Sequence, residues 1–250
     1  GTVELSVSVT ENGGVEERYG AVNLHVDGDF LIEIPVKQSG LYMDMTESRF
    51  DFESGAASRT VSMSTNLSFW NVLEKPSWVS VSPESGEAGE HTLTINVEDN
   101  PNTTKREGRV VVGNQGLSLA DTLWVTQEGK SFGPLETVLQ FENVASSNTL
   151  DISTDGDWTV TTSDGWITVA PSSGHGNGQV TVTVEANETD NERTGLLSVA
   201  VGGTVQYVNV VQKGRYFTID RGPSASLPSK GGTIELGIAT NQAWTAAVKN

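Results

Sequence analysis

One pattern constrains this chain more than any other, and it is an internal repeat with a period of about 88 residues. Trp70 and Trp78 are answered by Trp158 and Trp166. Pro83 and Gly86 follow Trp78 at the same offsets as Pro171 and Gly174 follow Trp166. Further on, Arg106-Glu107-Gly108 matches Arg193-Thr194-Gly195, and Gln127-Glu128-Gly129 matches Gln212-Lys213-Gly214. Two broken copies flank these units. Arg18-Tyr19-Gly20 and Gln38-Ser39-Gly40 reproduce a second half, and the run from Ile234 to Trp244 reproduces a first half. The predicted organisation is therefore a half-unit over 1–40, full units over 48–130 and 132–214, and a half-unit over 216–250. Linkers fall near 40–48, 130–132 and 214–216. The chain ends read as cuts through domains.

The repeat also sets the strand phase. Counting back from each repeat arginine gives Val9, Val7, Leu5; then Val97, Ile95, Leu93; then Val184, Val182, Val180. Each triplet alternates with mostly polar residues, which is the period of a half-buried strand and not of a helix. Strands are expected near 50–54, 59–65, 69–73, 78–82, 91–98, 108–113 and 120–127, and near 137–141, 148–153, 157–162, 166–170, 178–185, 195–201 and 204–212. Asp27-Gly28 and Gly202-Gly203 separate apolar runs as hairpin turns do, and Pro83-Glu-Ser-Gly86 and Pro171-Ser-Ser-Gly174 read as Pro-to-Gly turns. Units of this length with about seven strands predict an all-β chain of tandem immunoglobulin-like β-sandwiches.

Composition removes whole classes of function. Acids outnumber bases 32 to 15, for a net charge of −17. Such a surface repels phosphate backbones and anionic lipid heads, so nucleic acid is excluded as a partner and electrostatic membrane docking is disfavoured. No run is long and apolar enough for this segment to insert directly into a membrane. There is no cysteine and there are three histidines, which leaves no thiolate, disulfide or zinc-type ligand set. No cofactor and no metal are expected. Asp155-Gly156-Asp157 lacks the further ligands of a calcium loop and reads as a tight turn. The carboxylates lie in loops and on outward strand positions, so no acid pair of the glycosidase kind is assignable and the chain reads as no enzyme.

The ordered recurrence of Trp70, Trp78, Pro83, Gly86, Arg106, Gly108, Gln127 and Gly129, and of their counterparts in the second unit, resembles the BACON family, the Bacteroidetes-associated carbohydrate-binding, often N-terminal, domains. The resemblance implies an immunoglobulin-like sandwich in an exported protein of the cell surface or periplasm of a gut-type bacterium, its signal or lipid anchor lying outside this segment. It also implies glycan or mucin handling, as binding module or as spacer.

Aromatic residues divide by strand phase. Trp70, Trp158 and Trp244 take core positions. Trp78 and Trp166 fall where they either face outward or pack at the end of the sandwich, and packing is the favoured reading. Trp124 stands between Leu123 and Val125, two core positions, and so faces outward; Asn209 and Pro35 hold the equivalent places. Tyr207 lies on the same outward face of the second unit. The candidate carbohydrate contacts are Trp124, Tyr207, Trp78 and Trp166, and an interdomain contact or a strand-edge cover is the competing and favoured role for Trp124. Arg106 and Arg193 read as structural, tying a loop with their guanidinium groups. The leading function is a non-catalytic surface stalk that spaces or presents glycan- or mucin-capturing machinery. The alternatives are a true carbohydrate-binding module and an adhesin for a host protein. The two half-units further predict head-to-tail self-association by strand complementation, against the rival of a piece cut from a longer array.

Overall fold

The computed structural model describes residues 3–220, 224 and 226–248. The ends of both half-units and residues 221–223 and 225 thus lie outside the described residues. Chain contacts divide the molecule into two compact units that part between Gly129 and Lys130, the loop Pro101–Thr104 grouping with the second.

The first unit opens with a hairpin, β1 (Arg18–Val26) and β2 (Asp29–Gln38). It continues with β3 (Met43–Met45), β4 (Arg49–Phe52), β5 (Ala57–Thr65), β6 (Trp70–Glu74), β7 (Val79–Ser82), β8 (Ser85–Gly86), β9 (Gly89–Val97), β10 (Arg106–Asn114) and β11 (Leu119–Gln127). Strands β3-β5-β9-β7 make one sheet and β4-β11-β10-β6-β8 the other. The buried residues between them include Trp70, Phe50, Met63, Ile95, Val112 and Leu123. The second unit repeats the plan. It has β12 (Val138–Phe141), β13 (Ser146–Ile152), β14 (Asp157–Thr162), β15 (Ile167–Ala170), β16 (Ser173–His175), β17 (Gly178–Val184), β18 (Arg193–Val201) and β19 (Thr204–Gln212). Its sheets are β13-β17-β15 and β12-β19-β18-β14-β16, over a core around Trp158, Leu150 and Leu197. A short antiparallel strand pair follows, β20 (Phe217–Ile219) with β21 (Ile238–Thr240).

The chain is all-β with tandem immunoglobulin-like sandwiches, as the strand period requires. Its strand positions match expectation within a few residues. Alternation explains why: in β9 Leu93, Ile95 and Val97 are buried while their neighbours are not. The hairpin turns behave as read, with Asp27 and Gly28 at φ 53° and 95° and Gly202 and Gly203 at φ 50° and 80°.

Four expectations need correction. The stretch predicted as a linker over 40–48 contains β3, because Met43 and Met45 alternate inward and pair with β5. The Pro-to-Gly turns run directly into the short strands β8 and β16, which pair with β6 and β14. The Leu5, Val7 and Val9 run, read as a half-buried strand, is not one: among the described residues the first half-unit holds β1 and β2. Leu5, Val7 and Val9 remain exposed outside any strand, because their counterparts in β9 are held between β5 and β7 and no such neighbours flank them among the described residues. Among the described residues the second half-unit holds β20 and β21, and Trp244, expected in a core, is 53% exposed because no second sheet among those residues covers this strand pair.

Candidate functional site

The repeat residues build an internal lock in each unit. Gln127 is fully buried at the end of β11. Its Nε2 donates to the carbonyls of Ser54, Gly55 and Glu98 at 3.0, 2.9 and 2.9 Å. Its Oε1 accepts from Arg106 Nε at 2.9 Å. Arg106 Nη2 donates to the carbonyls of Glu98 and Asp99, and the guanidinium centre lies 4.4 Å from the Trp78 ring centroid. Burial lowers the Arg106 pKa, while Glu98 and Asp99 oppose that effect.

The second unit repeats each part. Gln212 Nε2 donates to Val144 and Glu185 carbonyls, Arg193 Nε donates to Gln212 Oε1 at 2.9 Å, and Arg193 lies 4.2 Å from the Trp166 ring. A Cβ on Gly195 would meet Trp166 Cζ2 at 3.0 Å and Ile167 Cδ1 at 2.4 Å, which explains the glycine two places after the arginine. The first hairpin carries the polar half of the same lock, Arg18 Nε to Gln38 Oε1 at 2.7 Å. Trp78 and Trp166 are thus half-buried against the cores, each with a ring face covered by arginine. They serve the lock, and their packed reading is the one the geometry supports.

Trp124 sits elsewhere. It lies on the outer face of the five-stranded sheet, 49% exposed, whereas Trp78 leads into β7 of the opposite sheet. Sheet register places it directly between Arg109 of β10 and Arg49 of β4. Arg109 holds Glu74 through Nε–Oε1 at 2.9 Å and Nη2–Oε2 at 2.8 Å. Arg49 holds Asp51 Oδ1 at 2.9 Å and Thr126 Oγ1 at 2.6 Å. These contacts draw the carboxyls of Glu74 and Asp51 below their ordinary pKa values, with the arginine hydrogen bond the larger cause in each. In the second unit Tyr207 is 59% exposed opposite Ser198. Within each unit the candidate aromatics lie apart: Trp78 leads into β7 of one sheet and Trp124 lies on β11 of the other, and Trp166 leads into β15 of one sheet and Tyr207 lies on β19 of the other.

Sequence reasoning missed the arginines beside Trp124. Their outward phase was visible, since Phe50 and Val110 are core residues, but the neighbourhood depends on the parallel pairing of β4 with β11. Asp155 behaves as the turn residue expected of it, its Oδ1 accepting from Ser131 Oγ at 2.7 Å. Among the described residues no cluster of three or more acidic or histidine side chains is placed to hold a metal, and no helix is long and apolar enough to cross a membrane.

Comparison with known proteins places these units in a family. A family model described as a viral BACON domain matches residues 134–215, and the BACON model, described as a putative N-terminal binding domain, matches residues 68–128. A xyloglucan-specific endo-beta-1,4-glucanase of Bacteroides ovatus is 32% identical over 78 residues, 31% of this chain and 16% of that enzyme. The chain therefore spans less than a fifth of that relative's length. Among solved structures, a Bacteroides ovatus xyloglucanase in complex with a heptasaccharide shares 30% identity over 34% of this chain and 19% of its own, with a TM-score of 0.32. A tandem from titin shares 12% identity over 78% and 74%, with a TM-score of 0.36. The two matches lie in tandem, and residues 68–128 and 134–215 are domains of the BACON family.

Proposed function

We propose that this chain is a non-catalytic accessory array of an exported, cell-surface protein, which spaces and presents machinery for glycan or mucin capture and touches polysaccharide through the sheet face of Trp124. One observation carries this reading. The residues that recur, Trp78, Arg106 and Gln127 with Trp166, Arg193 and Gln212, are all used in the same internal lock. What repeats is therefore architecture, while among the described residues the exposed tryptophan between two arginines occurs once. The Bacteroides relative, whose name gives xyloglucan as its substrate, supports a setting in polysaccharide handling.

The proposed modules are sandwiches over 48–130 and 132–214, flanked by the half-units. The test is exchange of residues 132–214 for an unrelated sandwich of equal length. A spacer role for that module expects unchanged retention of the chain on immobilised polysaccharide. Loss of retention on exchange points instead to a binding module that uses Tyr207, and selective retention on a host protein points to an adhesin.

A second reading concerns the half-units. Arg18 and Gln38 form the polar part of a lock with no tryptophan over it among the described residues, and Trp244 is half exposed. Head-to-tail pairing of the 1–40 and 216–250 half-units would cover both apolar faces. Neither half-unit carries a counterpart of the Trp78–Gly86 stretch, so the expected association is weak. Sedimentation velocity showing monomer alone at high concentration would remove this reading.

A further inference from the structure

Resting on the reading of Trp124 as a polysaccharide contact, we infer the ligand class of that face: a neutral glycan chain of stacked pyranose rings, and not a sulfated, sialylated or uronate-bearing one. The row Arg49–Trp124–Arg109 crosses three hydrogen-bonded strands. Neighbouring strands lie about 4.8 Å apart, so the row is roughly 10 Å long, comparable with a pair of linked sugar rings. The exposed indole supplies an apolar plane for the C–H face of one ring.

The charge of the row decides the ligand. Each guanidinium is already held by a carboxylate, Arg109 by Glu74 in a two-bond fork and Arg49 by Asp51. An anionic sugar would meet guanidinium groups whose charge is already balanced by a carboxylate, and would do so against a chain of net charge −17. A neutral polyol brings no charge to these balanced pairs. It meets donors and acceptors side by side, fixed in orientation by the ion pairs, and each hydroxyl can both donate and accept. The second unit is a built-in control. The equivalent row is Val138–Asn209–Leu196, with no indole and no guanidinium.

The test is affinity electrophoresis of the whole chain through gels containing hydroxyethylcellulose or polygalacturonate. The expected result is retardation by hydroxyethylcellulose alone, persisting in 0.5 M salt, where exposed charge–charge attraction is screened within about 4 Å. Trp124→Ala should weaken it at least ten-fold and Arg109→Leu several-fold, while Asn209→Ala leaves it unchanged. Trp124→Tyr should restore most of it, which separates lost stacking from lost folding. Retardation by polygalacturonate that vanishes in Trp124→Ala would overturn the neutral class and leave the polysaccharide contact standing. Retardation by neither polymer overturns the neutral class. Retardation unaltered in Trp124→Ala overturns the contact itself.

Discussion

The edge of the Trp158 indole lies over Gly174 so closely that a Cβ there would sit 2.3 Å from Cζ2. Trp70 stands over Gly86 in the same way, at 2.8 Å. The recurring tryptophan and the recurring glycine sixteen residues later are thus one packing unit. Each indole also donates to the loop beyond its glycine, Trp158 to Gly176 O at 2.9 Å and Trp70 to Glu87 O at 3.1 Å. Gly174→Ala must push the ring or the strand aside, and overpacking of this kind costs about 1–3 kcal/mol. Thermal unfolding of this variant should show a lowered midpoint for the second unit. An unchanged midpoint would mean that the loop yields freely.

Gln127 gives a larger expected loss. Gln127→Leu keeps the volume but deletes three hydrogen bonds to carbonyls and the acceptor of Arg106. Buried polar groups left short of partners cost about 1–3 kcal/mol each, so denaturant titration should show a loss of at least about 2 kcal/mol. Arg106→Lys keeps the charge but loses the planar fork over Trp78 and should cost about 1 kcal/mol. The reverse order of effects would mean that the stack, and not the glutamine, holds the loop.

Much of this fold is legible in the sequence. The period-2 phase of Leu123 and Val125 was enough to turn Trp124 outward, and the shared spacing of Trp70 and Trp158 was enough to place both in cores. The lock was only half legible. Trp78 and Arg106 recur together, but nothing in a linear spacing says that a guanidinium lies on an indole. Arg49 was invisible as a neighbour of Trp124 because a parallel pairing joins strands separated by most of a unit. Trp244 was misplaced for a related reason: a pattern marks which residues seek a core, while burial needs the other sheet to be present.

The ion pairs beside Trp124 make a pH prediction. The hydrogen bond from Arg109 holds the Glu74 carboxyl below its ordinary value of 4.5. A carboxylate with a lowered folded pKa contributes stability above its unfolded value and loses it as pH falls through the folded one. The pair should therefore be intact from neutral pH down to about 4.5 and come apart only below it. Carboxyl carbon NMR should give Glu74 a midpoint below 4.5 that returns to the ordinary range in Arg109→Leu. A Glu74 midpoint at or above 4.5 in the unmodified chain would remove the fork as a fixed feature of this face.

The stretches Gly40–Tyr42 and Gly214–Tyr216 are each held by a small clasp whose removal should be felt locally. Asn66 Oδ1 accepts from Tyr42 N at 2.8 Å and its Nδ2 donates to Gly40 O at 2.9 Å, while Thr65 Oγ1 donates to Tyr42 O at 2.8 Å. Asn241, Thr240, Tyr216 and Gly214 repeat these bonds at 2.7–2.9 Å. One amide side chain thus satisfies both a donor and an acceptor of the linker, which a flexible tether would leave to water. The side-chain bonds of an exposed loop are worth about 1 kcal/mol each, so Asn66→Ala should shift global stability by no more than about 2 kcal/mol. Its clearer effect is on hydrogen exchange. The Tyr42 amide loses its acceptor and should exchange several-fold faster, while Ile95 in the centre of β9 keeps its protection. Equal acceleration at both positions would mean that the clasp is coupled to the whole sandwich, and no change at Tyr42 would mean that the linker is held by β3 alone.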